Sequence, residues 1–193
     1  MYSTLLAVLL CQAVTPSAGP VLENDYVQVF RNSAPCAAAG PSCGERVLVA
    51  LGPLELARQK MKRGDFKVFK QGERYTAPNG GDFAEVMLKP AHPKVKTPPV
   101  SIAPDKNSLL YDGPTFFIYE ENLQPGDTRV RHSHNQRVGI LLNETRLQQW
   151  PEGQPEFFKD IVPDAIQFFE PVVHVIKNVG KNPLRNWVLE FKP

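Results

Sequence analysis

Short runs of alternating apolar and polar residues, separated by proline and glycine, constrain the fold of this chain more than any other feature. Tyr26 to Phe30, Thr128 to His134 and Val172 to Val179 alternate with a period of two, which is typical of strands with one buried face. The chain has 19 prolines and 13 glycines, and no window keeps a helical period for three turns. The sequence therefore predicts an all-β protein with many turns.

Charge and motif content narrow the possible functions. The net charge of +2 gives no reason to expect nucleic acid or an anionic membrane as a partner. The sequence contains no glycine-rich phosphate loop, no nucleophile elbow and no Cys–His pair, which disfavours nucleotide enzymes and serine hydrolases. The apolar run Leu5 to Leu10 is far too short to span a bilayer.

The N-terminal residues resemble a secretory signal. Leu5 to Leu10 forms a short apolar core, and small residues follow it from Thr15 to Gly19, although no Lys or Arg precedes it. We predict a signal peptide and a secreted or periplasmic protein. The alternative is an apolar segment packed on the body of a cytoplasmic protein. Cys36 and Cys43 would form a disulfide in an exported chain and would be two unrelated thiols in a reduced one.

An internal comparison predicts two related β units. The segment Arg46–Gly52 is similar to Arg137–Asn143, 91 residues later (137 − 46 = 91), and Phe83–Pro90 is similar to Asn186–Pro193. The alternative is a chance similarity of short strands, with one barrel extended by N-terminal strands. The predicted division is a signal peptide at 1–20, a first β unit at 21–90, a proline-rich linker at 91–106 and a second β unit at 107–193.

Three of the four histidines could meet at one site. His132 and His134 are two residues apart on a predicted strand and therefore share one face, while His174 lies in another alternating run. Two neighbouring strands could bring the three imidazoles together, and such a set suits divalent Fe, Zn, Mn, Ni or Cu. His92, next to Pro93 in the linker, is predicted to be a solvated loop residue.

Two motifs in residues 107–193 resemble those of the cupin superfamily. The residues that carry the resemblance are Gly126-x5-His132-x-His134, then His174-x3-Asn178, then Asn178-x-Gly180-x2-Pro183. The resemblance implies an RmlC-like jelly-roll barrel around a divalent metal ion and a small-molecule ligand. With the internal similarity, it implies a bicupin-like chain whose N-terminal copy has lost its ligands. Homodimers, which are common among cupins, are the implied assembly.

The resemblance also implies a ligand set and a function. The family usually has a Glu three to four residues beyond the second histidine, where this chain has Arg137, Val138 and Gly139. Gln136 is the residue of this chain that falls nearest to the position of the family's Glu. The implied ligands are His132, His134, His174 and Gln136. The implied function is a metal-dependent enzyme of the dioxygenase or isomerase type, acting on a small organic molecule. The alternative is a non-catalytic ligand-binding or structural cupin.

The remaining polar and aromatic residues near the site are expected to have ordinary roles. A period of two from His132 predicts that Arg129 and Arg131 face solvent, and Arg137 is expected to form a surface ion pair, with contact to an anionic substrate as the alternative. Five aromatic residues are expected in the barrel core rather than in a pocket. They are Phe116, Tyr119, Phe168, Phe169 and Trp187.

Overall fold

A computed structural model describes residues 19–37, 43–95 and 106–192 of the chain. Within these ranges the chain forms sixteen strands and no helix, which confirms the all-β prediction. Accordingly, this part of the chain contains no helix long and apolar enough to cross a membrane. The predicted signal peptide lies outside the described residues except for its last two positions.

The first half of the chain builds one sheet and one hairpin. Five strands form the N-terminal sheet in the order β1-β2-β7-β3-β6, and β4 and β5 pair with each other. The strands are β1 Leu22–Glu23, β2 Val27–Arg31, β3 Arg46–Ala50, β4 Leu54–Leu56, β5 Gln59–Met61, β6 Phe66–Phe69 and β7 Phe83–Leu88.

The second half builds two sheets that face each other as a complete jelly roll. We call them the central sheet, in the order β8-β9-β16-β11-β14, and the histidine sheet, in the order β10-β15-β12-β13. The strands are β8 Asn107–Asp112, β9 Phe116–Leu123, β10 Thr128–His134, β11 Arg137–Leu141, β12 Thr145–Pro151, β13 Phe157–Ile161, β14 Ile166–Phe169, β15 Val172–Asn178 and β16 Leu184–Phe191.

The N-terminal and central sheets have the same topology. Strands β1-β2-β7-β3-β6 of one match β8-β9-β16-β11-β14 of the other in both sequence order and spatial order. The register agrees as well, because Arg46 pairs with Phe69 and Arg137 pairs with Phe169. A two-unit architecture follows, in which the first unit has only a hairpin where the second has the histidine sheet. The unit boundaries stay a prediction, since most of the linker lies outside the described residues.

The core explains why the central sheet is buried on both faces. Val138 and Ile140 of β11 share one apolar cluster with Val47 and Val49 of the N-terminal sheet, so the two sheets pack face to face. Alternate residues of β11 must then face the interior of the jelly roll. Arg137 is one of them. All five residues of β11 are buried, and this strand therefore carries side chains directly into the barrel.

A disulfide and a buried arginine tie together the loops of the first unit. Cys36 and Cys43 are bonded, with their Cα atoms 5.9 Å apart. Arg46 is fully buried beside Glu85 and donates hydrogen bonds to backbone carbonyl oxygens of the surrounding loops. The rings of Phe69 and Tyr75 each lie 5.5 Å from its guanidinium carbon. The bonded pair settles the question that the sequence left open for these cysteines.

Candidate metal centre

The pairing of β10 with β15 brings three imidazoles together. His132 stands directly opposite His174 in the register, and His134 follows two residues later on the same face. One ring nitrogen of each histidine lies within 4.8 Å of the corresponding nitrogens of the other two. β15, which carries His174, lies inside the histidine sheet because β12 pairs with its other edge, whereas β10 is an edge strand.

Hydrogen bonds assign the tautomers of two of these histidines. Nδ1 of His132 lies 2.7 Å from the carbonyl oxygen of Val130, and Nδ1 of His134 lies 3.0 Å from Oε2 of Glu190. Each Nδ1–H therefore donates, which leaves Nε2 of both rings with a lone pair. These two Nε2 atoms are only 3.0 Å apart. Two lone pairs at this distance repel each other unless a proton or a cation lies between them.

The third histidine of the cluster also has an unsatisfied ring nitrogen. Nε2 of His174 is buried and has no hydrogen-bond partner. Its ring centroid lies 4.5 Å from that of His132 and 5.4 Å from that of His134. An unpaired buried nitrogen is costly, so an electrophilic partner at this point would be favourable.

The environment keeps all three imidazoles neutral. Burial lowers the pKa of His132 to about 4, with a further contribution from the charge of Arg129. Burial lowers the pKa of His174 to about 3, and the neighbouring His132 adds to the effect. Burial also holds the pKa of His134 well below its usual value. Neutral imidazole is the form that binds metal ions, so the site is ready for one at neutral pH.

The donor set fits a first-row divalent ion. Metal–nitrogen bonds of about 2.0–2.1 Å, at the angles of a tetrahedral or octahedral centre, separate neighbouring nitrogens by roughly 3 Å. The Nε2 atoms of His132 and His134 already have that separation. A three-histidine face would leave the remaining coordination positions open.

Glu190 and Tyr119 support His134 from behind. Oε2 of Glu190 accepts hydrogen bonds from Nδ1 of His134 and from the Tyr119 hydroxyl at 2.9 Å, and Oε1 accepts from the Asn135 amide at 2.8 Å. Burial raises the pKa of Glu190 to about 7 against the opposing effects of the Asn135 hydrogen bond and nearby Arg137. A carboxyl group that fixes the ring of a metal ligand is a common supporting element.

Neither of these supporting residues was predicted for the site. Tyr119 was expected in the core, and it is indeed fully buried, but its hydroxyl takes part in the hydrogen bonding around His134. Glu190 had a visible signal in the sequence. It is the one charged residue in the apolar run Trp187 to Phe191, and a charge on a strand buried on both faces needs a specific partner.

The prediction for Arg129 was wrong, and the cause is a β-bulge. Arg129 pairs with Ile176 while His132 pairs with His174, so β10 has one extra residue between these points. The bulge turns Arg129 to the inner face, where it is buried and forms an ion pair with Glu121 at 2.7 Å. Arg131, in contrast, is exposed as predicted and pairs with Glu152 on the surface.

The favoured prediction for Arg137 was also wrong. Its side chain is buried rather than part of a surface ion pair, because odd-numbered residues of β11 face the barrel interior. Nη1 donates to the carbonyl oxygens of Asn135 at 3.2 Å and Glu170 at 3.3 Å. The guanidinium lies over the ring of Phe169 at 4.9 Å. Phe169 lines the interior cavity, whereas the sequence predicted that it would lie in the core.

Gln136 and His92 are the two remaining polar residues for which the sequence made a prediction. The amide nitrogen of Gln136 donates to Glu170 at 3.4 Å, while its amide oxygen is buried without a hydrogen-bond partner. The role of Gln136 as a fourth ligand stays a prediction. His92 is exposed, and its two ring nitrogens contact the carbonyl oxygens of Pro93 and Thr115. It lies apart from the three clustered histidines.

A cavity of about 270 Å³ opens beside the histidines within the jelly roll. His134 and His174 form part of its wall, and Arg137 and Lys159 add two cationic groups. Apolar side chains from both sheets make up much of the remaining wall. They are Leu141, Leu147, Phe157, Ile161, Ile176 and Leu184.

Comparisons with known proteins show similarity in structure rather than in sequence. No protein-family model matches the chain, and no curated protein matches it. A cupin 2 conserved barrel domain protein from Leptotrichia buccalis has a TM-score of 0.51 and 10% identity, over 90% of this chain and 87% of its own. A cupin domain from Bordetella pertussis has a TM-score of 0.42 and 16% identity, over 51% of this chain and 99% of its own.

A third match is an RmlC-like cupin with a double-stranded β-helix fold from Methanocaldococcus jannaschii. Its TM-score is 0.37 and its identity 18%, over 45% of this chain and 80% of its own. The match to the Leptotrichia protein extends over nine-tenths of this chain and so includes both units. Together with the two facing sheets of residues 107–191, it confirms the predicted resemblance at the level of the fold. This chain has the cupin fold.

Proposed function

We propose that this protein is a metal-dependent cupin enzyme that acts on a small organic molecule. His132, His134 and His174 would hold a divalent ion at the wall of the interior cavity. The observation that carries the proposal is the 3.0 Å contact between two Nε2 lone pairs beside the unpaired Nε2 of His174. A divalent cation would remove the repulsion between the two lone pairs and give the unpaired nitrogen a partner.

The residues of the chain would prepare this site in three ways. Val130 and Glu190 accept the Nδ1 protons of His132 and His134, which keeps both Nε2 atoms free for the ion. The apolar wall of the cavity would exclude bulk water from a bound ligand. Glu190, whose pKa is near 7, and the Tyr119 hydroxyl could hold a proton next to His134. The ion itself would supply Lewis acidity and, if it is iron or copper, oxygen activation.

Dioxygenase or isomerase chemistry is the reaction type that we propose for this site. The all-nitrogen donor set suits Fe, Zn, Mn, Ni and Cu without selecting one of them. An open, Lewis-acidic ion can bind an enol or a carboxylate next to its histidine ligands. Gln136, with its buried amide oxygen unpaired, is proposed as the fourth protein ligand.

A specific observation favours a second candidate, a cupin that binds a ligand without turning it over. Glu121 is paired with Arg129, and Glu190 is hydrogen-bonded to His134, Tyr119 and Asn135. Both carboxyl groups closest to the histidines are thus engaged by the protein itself. A non-catalytic protein would need no further acid or base.

Two successive experiments, elemental analysis and then oxygen uptake, would test the proposal. The metal content of purified protein should fall from near one equivalent to near zero in a His132→Ala, His174→Ala double variant, while His92→Ala should retain it. Equal metal content in all three proteins would overturn the proposed centre. The protein should then be loaded with Fe(II) or Mn(II) and screened for turnover of small organic acids. Oxygen consumption or substrate isomerisation supports the enzyme, and tight binding without turnover supports the second candidate.

Export is proposed on separate grounds. The signal-like residues 1–20 and the Cys36–Cys43 disulfide both favour an oxidising compartment. Intact-mass measurement of the protein recovered from its host should show a chain shortened by roughly the length of a signal peptide. Recovery of a chain that still begins at Met1, with Cys36 and Cys43 both reduced, would contradict this proposal.

A further inference from the structure

The cavity contains a buried arginine that forms no ion pair with a described carboxylate. Arg129, nearby on the histidine sheet, forms an ion pair with Glu121. Among the described residues no such ion pair forms for Arg137, whose Nη1 reaches only two backbone carbonyl oxygens. Its Nε and Nη2 donors are left to the cavity that Arg137 lines. A buried cation without a partner is costly, so an anion that enters the cavity would be stabilised there.

The N-terminal unit provides an internal comparison for this arginine. Arg46 has the same position in the first sheet, since it pairs with Phe69 as Arg137 pairs with Phe169. Arg46 lies beside the Glu85 carboxylate and donates to four carbonyl oxygens of its own loops. Where loops fill the interior, the arginine is satisfied by the protein. Arg137 retains the position but faces open space, which is the arrangement expected of a ligand-binding residue.

A second cation lies beside Arg137. Nζ of Lys159 is 5.0 Å from the centroid of the Phe169 ring, the same ring that Arg137 covers at 4.9 Å. Lys159 donates to Gln167 Oε1 at 2.8 Å, and its side chain also lines the cavity. Two of the three Lys159 ammonium hydrogens therefore have no described partner. Arg137 of the central sheet and Lys159 of the histidine sheet thus both approach the Phe169 ring.

We propose that Arg137, with Lys159, binds the carboxylate of a small organic acid and directs the acid toward the histidine centre. A planar carboxylate matches the fork of donors that a guanidinium presents. Much of the remaining wall is apolar, through Leu147, Ile161 and Ile176, so the body of the acid is apolar. A cavity of about 270 Å³ has room for roughly nine water-sized groups, which limits the acid to a small one.

The acidic groups of the cavity set a limit on the charge of the ligand. Glu121 and Glu170 also line it, and the first is already neutralised by Arg129. A dianion such as phosphate would meet the Glu170 carboxylate, whereas a single carboxylate balances Arg137. The substrate class inferred here rests on the proposed function, because the reacting end of the acid would lie at the histidines.

Binding of 4-methylpentanoate to the full-length protein tests this inference. Its neutral analogue 4-methylpentanamide has nearly the same shape, and inorganic phosphate is a compact anion without an apolar body. Isothermal titration with zinc-loaded and metal-free protein should show the carboxylate bound at least 10-fold more tightly than the amide and than phosphate. Removal of a charge-assisted hydrogen bond lowers affinity roughly 10- to 100-fold, and we expect a decrease of this size in Arg137→Gln.

Matched variants separate binding from folding. Arg137→Lys should retain part of the affinity, Lys159→Gln should lose several-fold, and Arg131→Gln, on the exposed face, should bind as the unaltered protein does. Thermal unfolding of each variant checks that it is folded. If Arg137→Gln fails to fold, Lys159→Gln still tests the carboxylate site, because the side chain of Lys159 is only half-buried at the cavity wall.

The outcomes distinguish this inference from the metal proposal. Equal affinity for acid and amide, or unchanged affinity in both Arg137→Gln and Lys159→Gln, overturns the carboxylate site even if zinc is bound. Carboxylate selectivity that depends on Arg137, in a protein that binds no zinc when zinc is supplied, supports the carboxylate site and overturns the proposed metal centre.

Discussion

At the scale of single residues, the site depends on which nitrogen of each histidine carries the proton. Val130 and Glu190 accept the Nδ1 protons of His132 and His134, so the Nε2 atoms meet as lone pairs. His174 adds a third nitrogen without a partner. The ability of the site to bind a cation therefore depends as much on the hydrogen-bond acceptors behind the rings as on the histidines.

Glu190→Gln should weaken metal binding without removing any of the three proposed ligands. The amide is a poorer acceptor for Nδ1–H of His134 and can present its NH₂ group instead, which would disturb the tautomer. We expect roughly a 10- to 100-fold loss of metal affinity, measured by competition with a chromogenic chelator. Glu152→Gln, at an exposed ion pair with Arg131, is the control and should leave the affinity unchanged. Equal affinities in both variants would contradict the supporting role of Glu190.

The metal-free protein should lose stability on mild acidification. The pKa of His132 is lowered to about 4 and that of His174 to about 3, whereas histidine in the unfolded chain titrates near 6.5. Between about pH 6.5 and pH 4 the unfolded state therefore binds protons that the folded state does not. The free energy of unfolding is greatest above the unfolded pKa and falls as the pH falls through this window.

Urea unfolding at pH 7.5, 6.0 and 4.5 would measure this dependence. The metal-free protein should lose at least about 1 kcal/mol more than a His132→Gln, His174→Gln double variant between the first and last pH, since one unit of pKa shift corresponds to about 1.4 kcal/mol. Identical pH dependence in the two proteins would show that these imidazoles do not titrate as described.

At the scale of elements, one extra residue in β10 decides which side chains enter the barrel. Without the bulge, Arg129 would share the outer face with Arg131, as a period of two predicts. With it, Arg129 joins His132 and His134 on the inner face and pairs with Glu121. The bulge thus adds a buried ion pair next to the histidines on the same strand.

Arg129→Ala should be strongly destabilising because it leaves Glu121 buried without its partner. We expect a loss of about 3–5 kcal/mol in the free energy of unfolding, measured by urea denaturation. Arg131→Ala, two residues along the same strand but exposed, should change it by less than about 0.5 kcal/mol. An Arg129→Met, Glu121→Leu double variant should recover most of the loss. Similar effects of Arg129→Ala and Arg131→Ala would contradict the inward position of Arg129.

At the scale of the whole molecule, the two units share one sheet topology but differ in what lies on the inner face of that sheet. The central sheet contributes one face to the jelly roll and the other to the packing against the N-terminal sheet. In the described part of the first unit, the β4–β5 hairpin and loops held by the disulfide and by Arg46 stand in place of a second large sheet. Its sheet packs against the central sheet, whose strands β9, β11 and β16 place Tyr119, Arg137 and Glu190.

Removing the disulfide should destabilise the first unit while leaving the histidines in place. The bridge spans a sequence separation of 7 residues, and closing a loop of this size is worth about 2.5 kcal/mol in the chain-entropy model. A Cys36→Ser, Cys43→Ser double variant should lose about that much in urea denaturation, with unchanged metal content. A loss of metal together with the disulfide would show that the histidine cluster depends on the loops of the first unit.

Local sequence patterns were enough to locate several strands. Thr128–His134, Ile166–Phe169 and Phe83–Leu88 have the predicted bounds, because runs rich in apolar residues are delimited there by turn residues. The strand Phe157–Ile161 was not predicted. It lies at the edge of the histidine sheet and pairs only with β12, so its residues Phe-Phe-Lys-Asp-Ile show no alternation.

The sequence by itself determined the all-β class, the similarity of the two units and the shared face of His132 and His134, because each follows from a local period or a repeated segment. Only the tertiary structure decided that Arg129 and Arg137 point inward and that Glu190 supports His134. A bulge changes the period at one position without a local signal, and burial of β11 and β16 on both faces removes the polarity difference that identifies a face. The chemistry of the cavity therefore depends on strand pairings between residues distant in the sequence.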